Sequence, residues 1–480
     1  MTKAVLVLLT IPSLWAASVC LPCHPKQTEA YSRSPMGNAI GLPMAVPHAA
    51  FTHLKSKTRF EVLGKDENVR HQIERGGLSA EHPVAYRIGS GNHAEGFLAR
   101  VGEWLFQSPV AKYKRLDLWD VAPGYESMTH PDFNRRVSGE CLACHSSGAI
   151  DDLQPISCEQ CHGPSQEHLQ HPARNNIQNP SRLSPEARDA VCEQCHLTGE
   201  ARIGSPSGIS IAVYDRPRED LRVVSHVEQL AMSECARQSQ GRLWCGSCHQ
   251  PHGDRIDVDT QCRNCHAAAL PVSHDGRKQC VGCHMPKREA IDGGHTAFTD
   301  HRIQRQAAAP SEKTLPRLRL WREVGDVALR ERNLGLASIV VGEREGRPDL
   351  INDGYRRLAA VFSSWPRDPE VLSSLGMVLF LKDQKKDALK LLEAAVQQRP
   401  GDAALHEKLA LVRRADSNLS GAIQSLEKSI SLDPGRESAY FFLAECQTTP
   451  AGRKQVLNRL LKVFPQSLIA REALGNSTRP

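Results

Sequence analysis

Along the 480 residues the spacing of apolar positions changes character twice. Between residues 24 and 140, runs such as RFEVL and PVAYRIGSG alternate apolar and polar residues and are bounded by Gly and Pro. A period of two in short runs predicts β-strands. Residues 141–303 keep no sustained period and are studded with Pro, Gly and His, which predicts a loop-rich region. After about residue 304, Leu and Ala recur at helical spacing. There Leu375, Leu409 and Leu443 are 34 apart, as are Pro366, Pro400 and Pro434. Gly376, Ala410 and Ala444 follow the leucines, and Ala388/Ala422 and Leu392/Leu426 keep the same interval. The expected fold is mainly α, with a small β-containing N-terminal part, a loop-rich middle and a C-terminal α-solenoid.

A 34-residue period with small residues at fixed offsets resembles the tetratricopeptide repeat. Small side chains let the two helices of a unit cross closely, and Pro ends the unit. About four units run from 335 to 467, the last shortened by three residues, with a capping helix near 467–475, so the solenoid spans 335–476. Residues 304–334 are expected to bridge, with a helix at 317–332. Such stacks rarely catalyse and offer a concave surface to peptides or partner proteins.

Cysteine usage points to the chemistry. Of 16 cysteines, 14 fall in the word CxxCH. The words are Cys20/Cys23/His24, Cys141/Cys144/His145, Cys158/Cys161/His162, Cys192/Cys195/His196, Cys245/Cys248/His249, Cys262/Cys265/His266 and Cys280/Cys283/His284. Shuffling this composition gives roughly 0.02 such words, so seven are not chance. The spacing suits covalent haem c: each sulfur forms a thioether to a vinyl group, and the adjacent histidine reaches the iron. Structural zinc gives no reason for His after every second Cys. Disulfides and thioredoxin-like dithiols do not call for seven such words. Seven macrocycles would also supply apolar core to a chain with only 5% aromatic residues.

That cofactor load changes the charge argument. The formal charge of +6 suggests anionic partners, but seven propionate-bearing haems bring the total to roughly −1 to −8. No basic run interleaved with aromatics supports nucleic-acid binding. Residues 1–18, MTKAVLVLLTIPSLWAAS, read as a signal peptide cut after Ser18, which implies export, with a short membrane anchor as the alternative. No later apolar run is long enough to span a membrane. Residues 19–140 then hold the first word and a β-containing region supplying ligands, and 141–303 hold the other six words.

Thirteen further histidines precede residue 302 and only His406 lies beyond, so counting alone does not assign the second axial ligands. From position, His168, His252 and the pair His295/His301 stand out, followed by His226 and His93, then His53 and His71. Met36, Met44, Met128, Met232 and Met285 are alternatives at one site. Cys235 stands outside the words as a buried thiol, a sulfur ligand or a redox-sensitive site.

CEQCHGPSQEH resembles the CHGP…H element of multihaem cytochromes c grouped with hydroxylamine oxidoreductase and its tetrahaem electron acceptor. YRIGSGNH, FQSP, WDVAPGYE, CLACH, VCEQCHLTGE, SHVEQLAMSEC, CGSCHQPHG and GGHTAFTDHRI resemble exported multihaem cytochromes fused to tetratricopeptide repeats, over about residues 20–302. The resemblance implies His168, His226, His252 and either His295 or His301 as distal ligands.

Three functions follow as expectations. The first is a periplasmic or otherwise exported seven-haem electron carrier whose repeats dock redox proteins, a homo-oligomer being compatible with it. The second is an oxidoreductase acting on a small nitrogen or sulfur compound at a five-coordinate haem, although no CxxCK word is present. The third is an assembly scaffold or haem-filament protomer.

Overall fold

The structure, a computed structural model, describes residues 19–65, 68–206, 208–215, 220–253, 256–266, 279–304 and 316–476. The signal peptide expected at 1–18 and residues 305–315 of the expected linker lie outside them. The chain divides into two units. One comprises Met1–Leu197 with Asp220–Pro310, the other Thr198–Glu219 with Ser311–Pro480.

The first unit contains a nine-stranded antiparallel sheet built from β1 (Ile40–Gly41), β2 (Ala49–His53), β3 (Thr58–Lys65), β4 (Asn68–Arg75), β5 (Leu78–Ile88), β6 (Ala94–Val101), β7 (Trp104–Tyr113), β8 (Leu118–Val121) and β9 (Arg135–Arg136). Strands β2 to β8 follow one another as a meander, while β1 pairs with β5 and β9 with β7. The alternation seen in sequence is the burial pattern: Val69, His71, Ile73 and Arg75 of β4 all point inward. Gly76 and Gly77, both at positive φ, close the two-residue turn between β4 and β5, a conformation open to glycine at little cost. Phe97, Val69 and Val84 form one core cluster, and Leu98, Leu105, Ile40, Val137, Leu142 and Leu153 another.

The remainder of this unit is of another kind. Each CxxCH word lies on a short helical turn or at the end of a helix, as in Glu159–His162, Pro185–His196, Cys245–Cys248, Val258–His266 and Cys280–His284. Across the described residues of 157–197 and 220–303, the buried hydrophobic side chains are Leu197, Leu221 and Ala290. The segment cannot hold itself together by hydrocarbon packing alone. Two short strands, β12 (Lys287–Glu289) and β13 (Ala297–Thr299), follow the last word and pair with each other.

In the second unit, β10 (Ala201–Ser205) and β11 (Gly208–Tyr214) form a hairpin that pairs with β14 (Leu318–Leu320). The cytochrome-like block expected over 141–303 is therefore interrupted. Residues 198–219 leave it because Ala201, Ile203, Ala212 and Tyr214 are buried in a core with Leu320, Leu334, Leu336 and Ala337. The bridging helix expected at 317–332 is also corrected: 318–320 is a strand completing this small sheet, and the helix begins at Val327.

Four antiparallel helix pairs follow: Val327–Glu345 with Pro348–Ala360, Pro369–Leu381 with Lys385–Gln398, Ala403–Ala415 with Leu419–Leu432, and Glu437–Glu445 with Pro450–Val463. Leu468–Asn476 caps them. First helices of successive units start at 369, 403 and 437, the 34-residue interval of the sequence. Asp368 and Asp402 sit at matching N-caps, each accepting two backbone N–H groups from the first turn of its helix. Close crossing needs the small residues: a Cβ built on Gly354 would lie 2.6 Å from the Gly335 carbonyl oxygen. The chain thus has an N-terminal antiparallel sheet and a predominantly helical remainder ending in a helical-repeat solenoid.

Candidate functional site

The seven words converge in the first unit. After the third word, Gly163 at positive φ turns the chain, and Glu159 Oε1 accepts hydrogen bonds from the Ser165 N–H and hydroxyl. Those bonds hold the Glu159 carboxyl below its usual range. They also set the start of the helix Gln166–Gln170, which carries His168. His168 then faces His24 of the first word, ring centres 6.4 Å apart and planes within 18°. His162 faces His252 at 6.0 Å and 10°, and His249 faces His301 at 6.1 Å and 25°. His196 meets His226 edge-on at 5.4 Å.

These spacings test whether the residues suit a metal held between two imidazoles. Each ring nitrogen would lie about 2 Å from the ion, which leaves the ring centres roughly 6 Å apart. Three pairs have that separation with nearly parallel planes. Ring orientation is fixed as metal-binding imidazoles require: one nitrogen donates to a carbonyl and the other stays available. His162 Nδ1 donates to the Gln178 carbonyl at 2.8 Å. His168 Nδ1 donates to Ala173 O at 3.1 Å and Asn176 Oδ1 at 3.0 Å, His301 Nδ1 to Thr299 O at 2.9 Å, and His284 Nδ1 to Gln304 O at 2.9 Å. Gln229 Oε1 accepts the His301 backbone N–H at 2.8 Å. These residues suit a bis-imidazole haem. Among the described residues no group of three or more His, Cys, Asp or Glu side chains is arranged to hold a bare ion.

Electrostatics keep the rings neutral and basic enough to ligate. Burial, then His301 and His196, push His226 down to about 3, and its Nδ1 is buried without a hydrogen-bond partner. Burial likewise lowers His145, His196, His249 and His301. Burial raises Cys161 and Cys248, while Cys20 and Cys262 reach about 11. All sixteen cysteines are free thiols.

Other expected ligands sit elsewhere. His295 Nε2 donates to Asp120 Oδ2 at 2.8 Å, and its ring lies edge-on to Tyr113. His93 packs its ring on Phe298, centres 4.4 Å apart. Both nitrogens of His53 are engaged, Nδ1 with Ser56 Oγ at 2.9 Å and Nε2 with Glu126 O at 3.1 Å. His71 is fully buried in the sheet, bonded to Ser108 Oγ at 2.7 Å and edge-on to Phe97. No ring partner from the candidate set faces His145. His266 ends its helix beside residues 267–278, which lie outside the described set, as does His274. Cys235 is half-buried in Glu234–Gln238, and Cys446 is buried in the solenoid. The supporting residues Glu159, Asn176, Gln178, Gln229 and Gln304 escape sequence reading, because most act through a backbone carbonyl or a through-space bond that leaves no spacing signal.

No family model matches the chain, and no curated protein matches it. Solved structures similar to part of it include a Thermobaculum terrenum O-GlcNAc transferase variant, at 22% identity and TM-score 0.26, over 29% of this chain and 27% of that one. The Cut9–Hcn1 hetero-tetramer of APC/C gives 19% and 0.26, over 30% of each chain. YrrB, titled a TPR protein with an unusual peptide-binding site, gives 17% and 0.27, over 31% of this chain and 74% of that one. The chain spans less than a third of the length of the first two. Among the described residues no helix is long and apolar enough to cross a membrane.

Proposed function

We propose that the protein is an exported, periplasmic seven-haem c-type cytochrome that carries electrons between redox proteins, one of which docks on the helical repeats. The observation that carries this reading is the facing of His24 with His168, His162 with His252, and His249 with His301, each across the roughly 6 Å that a shared metal needs. The fourteen cysteines of the CxxCH words would hold the porphyrins by thioether bonds, and the word histidines would supply one axial nitrogen each. His168, His226, His252 and His301 would supply the opposing nitrogen in four cases. When bound, haem supplies one-electron exchange between ferric and ferrous iron. The polypeptide's part is to fix the rings through carbonyl bonds, to keep the imidazoles uncharged by burial, and to surround the centres closely.

The reading of an enzyme with one five-coordinate haem is favoured by His145 alone, since no candidate ligand faces it. Intact-mass analysis of the exported, mature protein should show seven covalent haems, and paramagnetic resonance should show mainly low-spin ferric signals. A polypeptide mass without porphyrin ends the reading. A dominant high-spin signal that responds to nitrite or cyanide moves it to the enzyme.

A further inference from the structure

We propose that the seven CxxCH words form a three-armed array that branches at the fourth, Cys192/Cys195/His196, so that the protein has three electron ports rather than two. This rests on the haem reading above.

The order follows from contacts between words. Words two and four are joined reciprocally: Cys144 Sγ donates to the Gln194 carbonyl at 3.7 Å, and Cys195 Sγ to the Ala143 carbonyl at 3.9 Å. Words four and five meet through a hydrogen bond between the Cys192 and Cys245 thiols. Word three adjoins word four, with Cys161 in electrostatic range of Cys192. Tyr31 interacts with Cys158, Cys161 and Cys195 together, and its hydroxyl donates to the Ile156 carbonyl at 2.9 Å. Word one hangs on word three through the Cys20–Cys158 thiol pair. Beyond word five, Cys248 lies in range of Cys262, whose thiol bonds Cys280 of word seven. Asp259 locks that last pair, its Oδ1 accepting the Cys280 N–H at 3.0 Å and the Val281 N–H at 3.3 Å. The arms are therefore two, three–one, and five–six–seven, all meeting at four.

Exposure marks the same tips independently. The exposed cysteines are Cys23 of word one, Cys141 of word two, Cys265 of word six and Cys283 of word seven. Every cysteine of words three, four and five is partly covered. An unbranched row serves one donor and one acceptor. Three exposed tips on one junction let electrons from two one-electron donor proteins merge toward one acceptor, or one stream divide. In each event a docked donor is oxidised by one electron at one tip and a docked acceptor is reduced by one at another, with no bond or proton exchanged.

Anomalous diffraction at the iron edge, from crystals of the full-length mature holoprotein, tests the order directly. Seven iron peaks are expected, the one at His196 having three near neighbours, at His145, His162 and His249. The irons at His24, His145 and His284 should each have one. Seven irons in an unbranched row, or with the branch at another histidine, overturn the inference and leave the cytochrome reading standing. Absence of iron overturns both.

Discussion

His301 faces His249 at 6.1 Å with nearly parallel rings, whereas His295, six residues earlier, is bonded to Asp120. The sequence phrase GGHTAFTDHRI offers both histidines equally. Strand β13 separates them: His295 precedes it and is drawn to the sheet unit's Asp120, and His301 follows it with Nδ1 tied to Thr299.

His301→Ala should therefore remove one axial nitrogen. In the haem-loaded protein one low-spin ferric signal gives way to a high-spin one. His295→Ala should leave the spectrum as in the parent and lose at most about 1 kcal/mol of stability from the half-exposed Asp120 contact. A high-spin signal in His295→Ala instead would reverse the assignment.

Crossing of the first two repeat helices depends on Gly354, where a Cβ would press on Gly335 O and on the Ile339 N–H, 3.0 Å away. Backbone on the far side cannot rotate aside. Gly354→Val should destabilise the solenoid by about 1–3 kcal/mol. Gly401, in a turn with open space around it, is the control. Gly401→Ala should lie within about 0.5 kcal/mol of the parent. Urea unfolding followed by helical circular dichroism of the two variants checks this.

Arg332 is buried beside the aspartate that caps the second repeat. Its Nε donates to Asp368 Oδ2 at 2.8 Å, and Nη1 donates to the Gly204 carbonyl at 2.9 Å in the β10–β11 hairpin. Arg332→Ala leaves Asp368 nearly buried without its cation, so a loss of about 3–5 kcal/mol is expected. Arg332→Met with Asp368→Asn should recover much of it. Equal loss in the double variant would show that the charge pair is not the cause. The same hairpin bears on truncation: a chain cut before residue 311 loses the core that covers Ala201, Ile203 and Ala212 and should aggregate unless 198–219 is also removed.

His71 and His82 lie opposite one another on β4 and β5, both buried. Burial, then His82, lowers His71 from 6.5 to about 3. The folded state thus binds fewer protons than the unfolded one. Sheet stability is fully present above pH 6.5 and falls as pH drops from 6.5 toward 3, by about 1.4 kcal/mol per pH unit for this one proton. Hydrogen exchange of the β4 amides across that range measures it. His71→Gln, which keeps a hydrogen-bonding group near Ser108 and does not titrate, should flatten the profile. An unchanged slope would assign the acid sensitivity to another group.

What could be read from residue order alone was whatever repeats or acts locally. The 34-residue interval became helix starts at 369, 403 and 437, because each unit buries its apolar face on its neighbour. The alternation in β3 to β7 became an antiparallel meander, since pleated backbone sends successive side chains to opposite faces. CxxCH was legible because two sulfurs and a ring within five residues need no distant partner to be recognised. Tertiary structure alone decided the rest. Which of His295 and His301 meets His249, that Thr198–Glu219 joins the solenoid unit, and that word four touches two, three and five are contacts between segments far apart in the chain. Such contacts depend on how apolar faces and carbonyl acceptors close in space, and no local spacing encodes that.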